Sequence, residues 1–226
     1  MRFTLLSTVL TFIAVVRASR YECEDISKYS TEWFLSNTKP EWKAMSISNA
    51  LFYTQGLSAR ARSFAKQEAN KVTIWEVWPC ENYQIIGTRS NPLKCIMSNP
   101  DTQLIYFENM SRAFAMMSTD LAAVMHRNIN DPPMWSIWGR IELPMLKAAT
   151  NPGGVVNWVT AIDAEDANLH KLEWTRMYGK VREEVESAYQ QIIRTNSWRN
   201  GRRDTEVFER DEPQSCGFVG PQHPLY

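Results

Sequence analysis

The chain carries little with which to hold a metal or a nucleic acid. It has 3 histidines in 226 residues, and its 4 cysteines stand at spacings foreign to zinc sites, so no metal is expected. Lysine plus arginine and aspartate plus glutamate both number 25. A near-neutral chain argues against a nucleic-acid partner, which would usually need a basic face. No nucleophile stands close to His126 in the sequence, so nothing suggests a Ser-His-Asp arrangement. Past the first 18 residues no apolar run is long enough to span a membrane. Internal repeats and low-complexity tracts are also missing.

Aromatic residues are plentiful. The chain has 9 tryptophans and is 44% hydrophobic, enough for the core of one domain or of one domain in two lobes. So many rings imply either a large aromatic core or a pocket suited to a planar ligand.

Met1-Arg2, the apolar run Phe3 to Val16, and Arg17-Ala18-Ser19 read as a secretory signal peptide over 1–18. A secreted, extracellular protein is expected. Removing that segment takes away two arginines and no acids, moving the net charge from 0 to −2. Cys23, Cys80, Cys95 and Cys216 remain, an even count that in a secreted chain implies two disulfides. All three connectivities are open. The preferred one joins Cys80 to Cys95 around a short loop containing Asn91-Pro92, and Cys23 to Cys216 across the ends of the mature chain. Tyr21-Glu22-Cys23 resembles the start of small secreted fungal effector proteins.

Helices are expected over 25–37, 57–70 and 103–118, and an amphipathic one over 167–194 carrying Leu169, Leu172, Met177, Val181 and Val185. Strands are expected over 72–78, 121–126, 137–143 and 155–162. The stretch 81–101 is punctuated by Gly87, Asn91-Pro92 and Asn99-Pro100 and reads as loop. Residues 41–56 are given no element. Beyond Asn200 the chain is polar and extended except where Cys216 pins it.

The stretch from Phe107 to Glu142 organises the rest. Phe107, Met110 and Phe114 share a helix face with Ser111. After them come the apolar run Ala122 to Met125, then Ile141-Glu142 with Leu146, then Val155-Val-Asn-Trp158-Val159. This succession, with Phe107 four residues before Ser111-Arg112-Ala-Phe-Ala, resembles the ADP-ribosyl cyclase and NAD glycohydrolase family. The resemblance spans Leu51 to Ile162, about half the chain. It implies an α/β protein: a helical lobe over 19–100 packed on an α/β lobe over 101–195 with a small parallel sheet flanked by helices, then a polar tail over 196–226. Ligand would bind at the carboxyl ends of the strands.

The resemblance also implies roles. Glu142 would be the catalytic carboxylate, stabilising the oxocarbenium-like centre left when nicotinamide departs from ribose. A water-facing Glu on an edge strand is the alternative. Ser111 and Arg112 would hold a ribose hydroxyl or a phosphate, unless Ser111 is merely small enough for packing. Phe107 stands where the family has a nicotinamide-stacking Trp, and Tyr53-Thr54-Gln55 stands where it has Trp-Ser-Arg. Both positions keep an aromatic ring, so stacking is possible, but the arginine that would meet a phosphate is absent. Thr73-Ile74-Trp75-Glu76 matches the family's acidic motif with its acid displaced, which makes Glu76 a candidate substrate-binding group and favours hydrolysis over cyclisation. Asn109-Met110-Ser111 is also a glycosylation sequon, in conflict with a tight pocket on that face.

The expected function is therefore a secreted NAD-cleaving enzyme, with NAD as substrate, no bound cofactor, and nicotinamide and ADP-ribose as products. The alternative is a non-catalytic secreted effector on the same scaffold, binding a host or microbial target. Transfer of ADP-ribose to protein is disfavoured, because Arg140 stands where a Glu-x-Glu pair would need its first acid.

Overall fold

A five-stranded mixed sheet in the order β2-β1-β3-β4-β5 runs through the computed structural model. The structure describes residues 24–43, 46–67, 70–79, 93–148, 153–177 and 182–195. The expected signal peptide, Cys23, Cys80, Cys216 and the tail lie outside those residues. Cys95 is disulfide-bonded, but the expected pairings involve residues that are not described.

Helix α1 (Thr31–Ser36) starts at Ser30, whose hydroxyl accepts from the Trp33 N–H, and buries Phe34. Strand β1 (Ile47–Tyr53) follows, then α2 (Ser58–Gln67), β2 (Val72–Thr73) and the short α3 (Ile74–Val77). Helices α4 (Lys94–Ser98) and α5 (Pro100–Met117) lead into β3 (Ser118–His126). Asn99 caps α5 by accepting from the Asp101 N–H, and Pro100 occupies the first turn, where its missing N–H costs nothing. A π-turn (Trp138–Glu142) runs into α6 (Leu143–Lys147), followed by β4 (Val156–Asp163), β5 (His170–Thr175) and α7 (Arg182–Thr195).

Strands β1 to β4 are parallel and β5 runs antiparallel to β4. In β3 every residue from Leu121 to His126 is buried, as expected of a central parallel strand covered on both faces. On one face Phe52, Ala122, Val124 and Val159 pack with Phe34, Trp78, Tyr106, Phe114 and Trp138. On the other, Leu51, Leu121, Ala123 and Met125 pack with Leu57, Ala61, Phe64 and Tyr189. The alternation along β1 and β3 is the period of two that a sheet imposes.

Five expectations are corrected. Residues 94–101, expected within a loop, hold α4 and the start of α5. The sheet is mixed, and it is not confined to 101–195, because β1 and β2 come from the stretch expected to form a helical lobe. Residues 72–78 form a two-residue strand and then a helical turn. The expected strand over 137–143 is a π-turn entering α6, with Trp138, Glu142 and Leu146 buried at helical spacing. Of the expected helix over 167–194, residues 170–175 form edge strand β5. The pairing with β4 shifts register between Leu172 and Trp174, so the two pack on opposite faces of the sheet, and burying Trp174 against β4 outweighs the helical spacing of Leu169 and Leu172.

Candidate active site

Strand order reverses at β1. From β1 the chain crosses through α2, packed on one face of the sheet, to β2. It then returns through α3, α4 and α5, packed on the other face, to β3 on the opposite side of β1. Crossovers that leave in opposite directions open a crevice at the strands' carboxyl ends. A cleft of about 730 Å³ lies there. Tyr53, Thr54, Gln55 and Gly56, at and beyond the end of β1, form part of its wall. The Thr54 N–H and hydroxyl both reach the Met125 carbonyl, at 3.0 and 3.3 Å, tying this wall to β3.

Tyr53, Phe107, Ser111 and Glu142 all line this cleft. Ser111 sits one turn after Phe107 on α5, facing inward and buried. The π-turn delivers Glu142 against it, only 6% exposed. A π-turn widens the helical ring by one residue and re-aims the side chains around it. Its closing bond runs from the Leu143 N–H to the Trp138 carbonyl. Gly139 is required inside it: a Cβ there would stand 2.2 Å from the Met134 carbonyl oxygen.

Burial pushes the Glu142 carboxyl up to about 8, because the charged form has lost its water, and a hydrogen bond from the Ser111 hydroxyl works in the opposite direction. The Tyr53 phenol is also pushed up, first by burial and further by the nearby Glu142 charge, with the Ser58 side chain opposing. Two of the ionisable groups lining the cleft, one on a strand end and one on the π-turn, therefore sense each other.

The walls are aromatic. Trp75, buried at the start of α3, meets Phe107 edge to face at 6.4 Å. Phe52 contacts Phe114 at 4.8 Å and Trp138 at 5.5 Å beneath them. Trp135 is 59% exposed and marks the outer edge. Arg140 lines the cleft as well; its Nη2 donates to Glu108 at 2.6 Å and its Nε to the Trp135 carbonyl at 2.9 Å. Among the described lining residues Glu142 is the only acid and Arg140 the only cation.

Two expected site residues are not brought in. Glu76 closes a capping box on α3, accepting from the Thr73 N–H at 2.6 Å and from its hydroxyl. A carboxylate so occupied serves the helix, and its neighbour Trp75 faces the cleft instead. Arg112 does not line the cleft, and its charge acts on Glu32 of α1. Adjacent helical residues differ by about 100° in direction, so Ser111 facing inward turns Arg112 away. Asn109 donates to the Tyr29 carbonyl at 2.9 Å and does not line the cleft.

Sequence reasoning missed Trp75, Trp138 and Arg140. The spacing of Trp138, Glu142 and Leu146 at i, i+4 and i+8 was available as a helical signal and would have placed Trp138 beside Glu142. Nothing local could have shown Arg140 pairing with Glu108, 32 residues away. No family model matches the chain, and no curated protein matches it either.

Proposed function

We propose that the protein cleaves NAD at the bond between nicotinamide and ribose and hydrolyses it to nicotinamide and ADP-ribose, acting outside the cell. The observation that carries this reading is a single buried carboxyl, Glu142, beside Ser111 in a cleft walled by aromatic rings.

The chemistry suits that arrangement. The nicotinamide ring of NAD is cationic and planar. Stacked among Phe107, Trp75 and Tyr53 it would be desolvated, and its charge would favour ionised Glu142. As the glycosidic bond breaks, its electron pair leaves with nicotinamide, which departs neutral. Positive charge moves to the ribosyl carbon, where a carboxylate stabilises it more strongly than in the ground state. Water then bonds that carbon and loses a proton, giving ADP-ribose. Arg140, the one cation among the described lining residues, would share its charge between Glu108 and the pyrophosphate. Hydrolysis is favoured over cyclisation because Glu76, the displaced acid of the family motif, is engaged in a helix cap.

The test is incubation of the purified protein with NAD and chromatography of the products. Nicotinamide and ADP-ribose in equal amounts support the proposal. A folded protein that leaves NAD intact favours the second reading, a non-catalytic secreted effector whose cleft binds a planar ligand or a host target.

A further inference from the structure

A second carboxylate, mostly shielded from solvent, stands outside the cleft lining and is tied to the π-turn through Trp138. Glu173, on edge strand β5, accepts from the Trp138 indole N–H at 2.9 Å through Oε1. Its Oε2 stands 3.0 Å from Nε2 of His126, the last residue of β3. The His126 side chain is fully buried and that of Glu173 is 12% exposed. Trp138 is 1% exposed, and its ring lies 6.0 Å from the His126 ring.

The donor inventory fixes the roles. Nδ1 of His126 has no hydrogen-bond partner among the described residues. A buried bare acceptor costs less than a buried orphan N–H, so the tautomer with hydrogen on Nε2 is favoured. Both the indole and the imidazole then donate to one carboxylate. This joins the end of β3, the edge strand and the first residue of the π-turn. Trp138 is also the residue whose carbonyl closes the π-turn on Leu143, next to Glu142.

We infer that Glu173 is a positioning residue for the NAD-cleaving reaction: by holding the Trp138 indole against His126 it fixes the π-turn that aims Glu142 at Ser111. This rests on the reading of Glu142 as the reacting carboxylate. Nothing in the arrangement requires Glu173 to touch substrate. Losing it would leave two buried donors unpaired and free the π-turn to relax, moving the carboxyl away from a geometry in which small displacements are costly.

The test uses the full chain as wild type, Glu173→Ala, Glu173→Gln, Trp138→Phe and the Glu173→Ala/Trp138→Phe double variant. Glu173→Ala is expected to lower kcat roughly ten- to a hundredfold while KM stays within about twofold. It should also move the Trp138 indole N–H resonance upfield. Glu173→Gln keeps an acceptor for the indole, so it should retain that resonance position and most of kcat. Because both residues act through one bond, the double variant should be no slower than the slower single variant. An unmoved indole resonance in Glu173→Ala, multiplicative losses in the double variant, or Glu173→Gln as slow as Glu173→Ala would overturn the proposal. If Glu173→Ala fails to fold, Glu173→Gln beside Trp138→Phe decides: near-normal kcat in the first with a loss in the second supports it, and the reverse overturns it. If wild type does not cleave NAD, the glycosidase reading fails separately. Positioning is then read from the indole resonance and from titration of a ¹³C-labelled Glu142 carboxyl. That titration must fall toward the ordinary carboxylate range in Glu173→Ala, and an unchanged titration overturns the inference.

Discussion

The Ser111 hydroxyl and the Glu142 carboxyl share the cleft at the junction of α5 and the π-turn, and the hydroxyl lowers the pKa of a carboxyl that burial raises. Through this pair the longest described helix and the least regular segment share one site. The hydroxyl favours ionised Glu142 against a burial that disfavours it, so Ser111 bears on how much of Glu142 is ionised near neutral pH.

Ser111→Ala should therefore raise the Glu142 pKa beyond about 8. The direction follows from removing the side chain that opposes burial there. In wild type, kcat/KM should increase with pH and level off near the free-enzyme value. The limb in kcat should lie lower, because bound cationic nicotinamide favours the carboxylate. In Ser111→Ala the kcat/KM limb should move to higher pH, with activity partly recovered in alkali. Rate profiles across pH 5 to 10 would check this; parallel loss at every pH would count against it.

Glu142→Gln should also change stability, with a definite sign. Glu142 has a folded pKa near 8 against 4.5 unfolded. Below 4.5 it is protonated in both states and imposes no penalty. Between 4.5 and 8 the unfolded state ionises first, and stability falls as pH rises through the folded value, by about 3–6 kcal/mol in all. The glutamine variant escapes that loss. Denaturant unfolding at pH 4.5 and pH 9 should give similar stabilities at the lower pH and a more stable variant at the higher. A variant less stable than wild type at pH 9 would mean that Glu142 is stabilised as the anion.

Phe107→Ala removes a ring that packs on Trp75. It should weaken NAD binding and turnover together by about 1–2 kcal/mol, unlike a change at Glu142. Steady-state kinetics beside direct binding separate the two patterns, and a loss in kcat alone would place Phe107 outside the stacking wall.

Asn109 should be unglycosylated despite its sequon, because its amide is half-buried and spent on the Tyr29 carbonyl. Intact mass of protein secreted from a eukaryotic host is the check, and a glycan on Asn109 would require that contact to be broken.

The sequence made the regular parts legible and obscured the functional ones. Helix α5, strand β3 and strand β4 were readable because Phe107, Met110 and Phe114 repeat at helical spacing and the later runs are continuous and apolar. The four residues Tyr53, Phe107, Ser111 and Glu142 line one cleft, an arrangement that no local pattern in the sequence shows. The short run around Glu142 fits a strand or a helix equally well by hydrophobicity, and a π-turn has no period of its own. Strand β1 was obscured by Asn49, which sits at φ 69° where the pairing with β3 shifts register. Glu76 and Arg112 were misplaced because neither a helix cap nor a helix face announces which way it turns. The network of Glu173, His126 and Trp138 joins three distant segments, which no window of sequence can show.

The most direct test of the account is NAD turnover by wild type beside Glu142→Gln, with NAD binding measured on both. Glutamine matches the size of the side chain and can still hydrogen-bond the ribose, so binding should change little. It cannot neutralise the charge that appears as the glycosidic bond breaks, so kcat should fall about a hundredfold to a thousandfold. Equal turnover by the two proteins would contradict the assignment of Glu142, and no turnover by folded wild type would contradict the proposed activity itself.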